Sequence, residues 1–318
     1  MGAARRASFE LKYRGVWILK NYHDHSTVEL DAEIGQKVPS VLGGAVMSAE
    51  NAAAIVSSQP LLRIRDVSVR FGGVVALDKV SFDVEAGQIC GLIGPNGAGK
   101  STLFNCLSRL YDCNEGSIEV GGLSTLSRPT HEMAHMGIGR TFQNLALFKS
   151  MSVRENVLLG VHGRVQPHFL ASALRFRSER VVEADHQRRA QEVIDSLGLA
   201  AVAERTVSEL PFGTQKRVEM ARALIARPRL LLLDEPACGL NHEEVEALGV
   251  LLQDVRQRFK LAVLLVEHHM GLVMSISDKV IALNFGRKIA EGTPEAVRND
   301  GHVIAAYLGT SAEHSYVA

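Results

Sequence analysis

The stretch Gly94-Pro95-Asn96-Gly97-Ala98-Gly99-Lys100-Ser101-Thr102 decides the fold of this chain. It follows a short, wholly apolar run at 89–93 and opens a segment with helical character, so it reads as the turn between a buried strand and a helix. Glycines let the backbone curl around an oxyanion, with successive N–H groups and the positive end of the helix dipole turned inward. Lys100 then supplies a point charge and Ser101 a hydroxyl for Mg²⁺, followed by Thr102. The GxxxxGKS spacing is that of a phosphate-binding loop, and residues 94–102 are the expected binding stretch for a nucleoside triphosphate.

Outward from this loop, Leu62, Ile64, Val67, Val69 and Phe71 alternate, and after Gly72-Gly73 so do Val80, Phe82 and Val84. This predicts a half-buried antiparallel pair, with another short strand at 117–120 before Gly121-Gly122. Residues 151–210 are helical in character, with Ala190, Val193, Ile194 and Leu197 at one-face spacing and Gly198 as a C-cap. Buried strands are expected again at 230–233 and 261–266, separated by a helix carrying Val245, Leu248, Leu252, Val255 and Phe259. Such alternation predicts an α/β fold: a P-loop NTPase core with a mostly parallel sheet, an antiparallel β subdomain and a helical insertion subdomain at about 144–215.

The whole chain narrows the classes of function. Its 318 residues, 46% hydrophobic, suffice for a substantial core. Thirty-five basic residues balance thirty-five acidic ones, so no overall charge favours nucleic acid. No run approaches the roughly 20 apolar residues of a membrane span, and the apolar run at 16–19 is too short for a secretory signal core. Cys90, Cys106, Cys113 and Cys238 form no CxxC pair and read as reduced core thiols. Residues 1–60 lack a sustained period and read as a poorly ordered extension, with Met47 an alternative start; 61–310 form the folded domain, and 311–318 a tail.

The run at 230–233 ends in Asp234-Glu235-Pro236, placing two carboxylates at the C-terminal tip of a buried strand, the edge where open α/β sheets bind ligands. Asp234 is expected to hold Mg²⁺ through its water shell, opposite Ser101. Glu235 is expected to be the general base that polarises water for in-line attack on a γ-phosphate.

With these stretches in place, the chain resembles the nucleotide-binding subunits of ABC transporters over roughly residues 62–310. The resemblance implies that Gly139-Arg140-Thr141-Phe142-Gln143 is the Q-loop, with Gln143 reaching Mg²⁺ and the attacking water. It implies that Val266-Glu267-His268 is the H-switch, with His268 bonding the γ-phosphate, and that Phe71 stacks on adenine. Residues 210–224 stand where the family has its LSGGQ signature, which caps the ATP bound to the opposite subunit. Here Pro211 replaces the serine, Phe212 a glycine and Thr214 the glutamine, while Gly213 still offers backbone donors at a helix start. A weaker, not absent, phosphate contact is expected. The D-loop position reads Gly239-Leu240-Asn241, with Asn where many relatives have Asp.

The signature variant, the sequence from Asp234 to Glu244, the pair His268-His269 and the close at 284–309 are similar to LivG-type ATPases of branched-chain amino acid uptake. That resemblance implies ATP and Mg²⁺ as cofactors and a LivF-like second ATPase in a head-to-tail dimer. It also implies two transmembrane permeases, an extracytoplasmic solute-binding protein reached through them, no nucleic acid, and a peripheral place on the cytoplasmic face of the plasma membrane. Phe142, Leu147 and Phe148 are candidate permease contacts; internal packing is the alternative and is favoured for Phe148. Competing readings are an importer of another small solute, such as an amide, urea or aromatic acid, and a soluble ABC-type clamp outside transport. Sustained heptads, expected of many clamps, are absent.

Overall fold

The computed structural model describes residues 8–12, 16–20 and 27–30, then 59–141, 145–162 and 177–308. Two compact units are present, Met1–Val56 and Ser57–Ala318. In the first, β1 (Ser8–Lys12), β2 (Val16–Lys20) and β3 (Thr27–Leu30) form an antiparallel sheet in that order, with Leu11 opposite Trp17 and Trp17 opposite Leu30. The sequence pattern predicts no strands there, because segments of four or five residues are too short for alternation to stand out. The rest of the expected extension up to residue 58, and the 311–318 tail, lie outside the described residues.

The second unit opens with β4 (Leu62–Phe71) and β5 (Val74–Val84), a hairpin closed by Gly72-Gly73, where Gly72 takes a φ of 57°. Next come β6 (Ile89–Ile93), the phosphate loop, α1 (Lys100–Leu107), β7 (Glu115–Val120), β8 (Leu123–Ser124) and β9 (Ile138–Arg140). Helices α2 (Val153–His162), α3 (Arg177–Ser196) and α4 (Phe212–Leu224) supply the helical insertion. Gly198, at a φ of 65°, ends α3 as expected, with Leu199 N donating back to the Ile194 carbonyl at 2.9 Å. The chain returns through β10 (Leu230–Asp234), α5 (His242–Phe259), β11 (Ala262–Val266), α6 (Met270–Ile276), β12 (Lys279–Asn284), β13 (Arg287–Gly292), α7 (Pro294–Arg298) and α8 (Gly301–Leu308).

Two sheets result. One is antiparallel, in the order β5-β4-β7-β8; the other runs β13-β12-β6-β11-β10-β9 and is parallel throughout except at β12/β13. The uninterrupted apolar runs have a simple cause: the parallel strands are covered on both faces. Ile89, Leu231, Leu233, Val263 and Leu265 enter one core together with residues of α2 to α5. Their neighbours Cys90, Leu92, Leu230, Leu232, Leu264 and Val266 enter a second core with α1 and the antiparallel sheet. Parallel register also brings the strand ends to one edge: Val266 lies opposite both Asp234 and Leu92, so the phosphate loop, the carboxylates and the turn carrying His268 emerge side by side.

Candidate functional site

The phosphate loop is shaped by its glycines. Gly94 and Gly97 take φ values of 149° and 77°, conformations L side chains rarely adopt. A Cβ at Gly94 would strike the Leu283 carbonyl of β12, whereas at Gly97 it would meet nothing within 4 Å. Gly286 N donates to the Ala98 carbonyl at 3.0 Å, tying the loop to the β12–β13 turn. Lys100 curls back, its Nζ donating to the carbonyls of Gly94 at 2.6 Å and Pro95 at 3.0 Å. Burial lowers the Lys100 pKa, opposed by the nearby Glu235 and Asp234 charges. No side chain caps α1 at Gly99, which leaves its first-turn amides available to an anion. An open cavity of about 380 Å³ is lined by Val74, Val75, Ala76, residues 96–102, Glu235 and His268.

At the tip of β10, Asp234 is buried and its Oδ2 accepts from Arg140 Nη2. Arg140 is itself fixed by Nη1 bonds to Phe104 O (3.2 Å), Asn105 Oδ1 (3.0 Å) and Ser108 Oγ (2.8 Å). Burial raises the Asp234 pKa, and Arg140 pulls it back down. Glu235 sits in the left-handed region at a φ of 50°. Its N–H donates to Val266 O at 2.9 Å, and its carbonyl accepts from Lys216 Nζ and Cys238 N, each at 3.1 Å. Its carboxylate Oε1 lies 3.0 Å from His268 Nε2. Buried Glu267 clamps the adjoining turns: Oε1 accepts from Ala237 N at 2.6 Å, and Oε2 from the His268 and His269 amides at 3.0 and 3.3 Å.

Pro211 is the N-cap of α4, and its carbonyl accepts from Thr214 N and Gln215 N, each at 3.0 Å, with no side-chain cap. Gly213 lies in the first turn, where a Cβ would come within 3.0 Å of Glu244 Oε1. Asn241 caps α5 through a capping box: its Oδ1 accepts from Glu244 N, and Glu244 Oε2 accepts from Asn241 N. The D-loop Asn thus starts a helix, a task a neutral amide performs as well as a carboxylate.

Of the expected site residues, Asn96, Gly97, Ala98, Gly99, Lys100, Ser101, Thr102, Glu235 and His268 share one cavity lining. Gly94 and Pro95 support it through Lys100, and Asp234 stands next to Glu235 against Arg140. Phe71 is not in the lining; it is half exposed and edge-on to Tyr111, with ring centres 5.2 Å apart. Gly213 is not in it either. Gln143 and Phe142 lie outside the described residues. Phe148, favoured for internal packing, is instead 56% exposed, its backbone held by the buried Asn156 side chain, while Leu147 packs against the core. The thiols also need correction: Cys90 and Cys106 are buried, Cys113 is half-buried, and Cys238, in the turn after β10, is exposed. Sequence reading assigned no role to Arg140, Lys216 or Glu267, although all three stand inside quoted motifs.

Among the described residues no cluster of three or more His, Cys, Asp or Glu side chains is placed to hold a metal. The donor chemistry fits Mg²⁺ nonetheless, because that ion takes only one or two protein oxygens beside substrate phosphates and water, and Ser101 and Asp234 are the side chains that would supply them. No helix among the described residues is long and apolar enough to cross a membrane.

Comparison with known proteins agrees with this geometry. The model of a family described as ABC transporter matches residues 77–238, and that of the branched-chain amino acid ATP-binding cassette transporter matches 287–313. The chain is 42% identical over 252 residues to the high-affinity branched-chain amino acid transport ATP-binding protein BraF of Pseudomonas aeruginosa, covering 79% of this chain and 99% of that one. It is 40% identical over 252 residues to the high-affinity branched-chain amino acid transport ATP-binding protein LivG of Escherichia coli, covering 79% of this chain and 99% of that one. Among solved structures, a nucleotide-free ATP-binding cassette from an ABC transporter superposes with a TM-score of 0.69 at 28% identity, covering 79% of this chain and all (100%) of that one. The ADP conformation of such a cassette gives 0.69 at 29% identity, with the same coverage. Similarity of this extent, carried by the same fold, makes the chain a member of the ABC transporter family of ATP-binding cassettes.

Proposed function

We propose that this ABC ATPase is the subunit that binds and hydrolyses ATP in an importer of branched-chain or similar amino acids. The observation that carries the catalytic part is the single cavity in which the phosphate loop faces Glu235 and His268, the last two in contact. In this reading the first-turn amides of α1 and Lys100 take the β- and γ-phosphate oxygens, Lys100 exchanging its loop carbonyls for them. Glu235 accepts the proton of the attacking water, His268 and Gln143 orient the γ-phosphate, and Phe71 stacks on adenine. Mg²⁺ held through Ser101 and Asp234 supplies neutralisation of the phosphate charge.

Gly213 is absent from its own chain's phosphate cavity, which supports a head-to-tail dimer in which α4 faces the ATP of a second, LivF-like subunit. Exposed Phe148, held by Asn156, supports contact with one of two transmembrane permeases, and through them with an extracytoplasmic solute-binding protein. The subunit then sits peripherally on the cytoplasmic face of the plasma membrane. Residues 61–310 constitute the cassette, with the helical subdomain at about 144–215. The names of the relatives support amino acids as the cargo.

The test is recovery of the subunit from membranes in mild detergent, followed by assay of the complex with solute-loaded binding protein. Stimulation by leucine, isoleucine and valine is expected. Stimulation by an amide, urea or aromatic acid instead moves the cargo, and recovery without any membrane partner removes the transport role in favour of a soluble clamp.

A further inference from the structure

We propose that Tyr307, on the C-terminal helix α8, is a positioning residue of the phosphate loop, holding the Gly94 amide when Lys100 leaves to meet a nucleotide. Gly94 N–H donates to Tyr307 Oη at 2.6 Å across 213 positions of sequence. On the other side of the same residue, the Gly94 carbonyl accepts from Lys100 Nζ at 2.6 Å. One buried glycine is therefore gripped at both of its peptide groups, by two side chains with different futures. Lys100 is the cation of the loop, and a bound triphosphate draws its ammonium toward phosphate oxygens and away from the Gly94 carbonyl. Tyr307 does not line the cavity, so phosphate oxygens do not compete for its hydroxyl as they do for Lys100. In the loaded state it is the side-chain grip remaining on Gly94 among the described contacts.

The position of Gly94 makes that grip consequential. Its φ of 149° and the Leu283 carbonyl pressed against it admit little variation, and the loop amides that receive phosphate follow directly in the chain. Burial raises the Tyr307 pKa, so the hydroxyl stays neutral at physiological pH and accepts the amide bond as an uncharged oxygen. The segment matched by the branched-chain amino acid cassette model, 287–313, contains this residue. The segment thereby acquires a task at the nucleotide site although none of its described residues lines the cavity.

The inference rests on the loop taking nucleotide, and the experiment separates the two. Tyr307→Phe keeps the ring and deletes the acceptor, leaving a buried N–H without this partner. MgADP and MgATP are titrated calorimetrically into the full-length wild type and variant, and the melting temperature of each nucleotide-free protein is measured. MgADP is included because its binding needs no capping partner subunit. The expected result is a Kd about three- to tenfold higher for both nucleotides, with the nucleotide-free Tm within about 2 °C of wild type. An unchanged Kd overturns the proposal whatever happens to the Tm. A raised Kd accompanied by a larger fall in Tm marks a merely structural contact and overturns it as well. Failure of the wild type to bind either nucleotide defeats the reading of the loop itself, and this inference with it.

Discussion

Arg140 Nη2 stands 3.2 Å from Asp234 Oδ2, with the two side chains only 10% and 7% exposed. Burial alone drives Asp234 toward its neutral form, and Arg140 opposes this. The carboxylate expected to serve Mg²⁺ is thus favoured in its ionised form by a residue from the neighbouring strand β9, against the larger upward push of burial.

Replacing Arg140 by Met strands that carboxylate and removes the donors to Phe104, Asn105 and Ser108. The expected loss is about 3–5 kcal/mol of stability, read by urea unfolding. Combining Arg140→Met with Asp234→Asn should cost less than the sum of the single changes; strict additivity would show that the pair is not coupled.

Glu235→Gln preserves shape and a hydrogen-bonding partner for His268 but removes the base. Turnover of the assembled complex should fall by at least about 100-fold, while MgATP affinity stays near wild type. Normal turnover would remove Glu235 from the chemistry.

The phosphate loop and the carboxylate pair were legible in the sequence because each is a local pattern: glycines at fixed offsets, and acids ending an apolar run. The sheet was legible for the same reason, since a strand covered on both faces has few polar residues. What supports the site was not legible. Arg140 meets Asp234 across 94 positions, and Glu267 reaches Ala237 across 30; only the strand order, with β11 beside β10 and β10 beside β9, makes these neighbours. Lys216 carried no periodic signal, since a buried lysine on an amphipathic helix resembles any solvated one until its acceptor, the Glu235 carbonyl, is known. Phe148 was misread because aromatic type favours the interior, and the buried Asn156 that holds its backbone gives no local sign.

At the start of α4, Pro211→Ser restores a side-chain oxygen where no side chain now caps the helix. Helix capping should add about 1 kcal/mol of stability, and ATPase activity of the assembled complex should be unchanged or higher. A clear loss of activity would mean that 210–224 is not the phosphate-facing signature.

The four thiols should divide in two under native alkylation. Exposed Cys238 and half-buried Cys113 react; the hydrogen bond from Cys106 lowers the Cys113 pKa, which raises its thiolate fraction. Cys106 is pushed up by the same bond and by burial, and burial pushes Cys90 up to about 12, so both should resist until the protein unfolds. Intact-mass analysis after brief iodoacetamide treatment should show two adducts, and four would contradict the buried placement.

Gly94 and Gly97 belong to one motif, yet damage to them should have different signatures in a population of variants. Any side chain at Gly94 collides with the backbone of β12, wedging apart two central strands, so such a variant is lost at the level of protein abundance. A side chain at Gly97 projects into open space and disturbs only a φ of 77° in the binding cradle, so that variant accumulates and is lost at the level of nucleotide retention. A screen reading abundance and another reading nucleotide capture would therefore divide a single glycine-rich signature into a residue of assembly and a residue of chemistry.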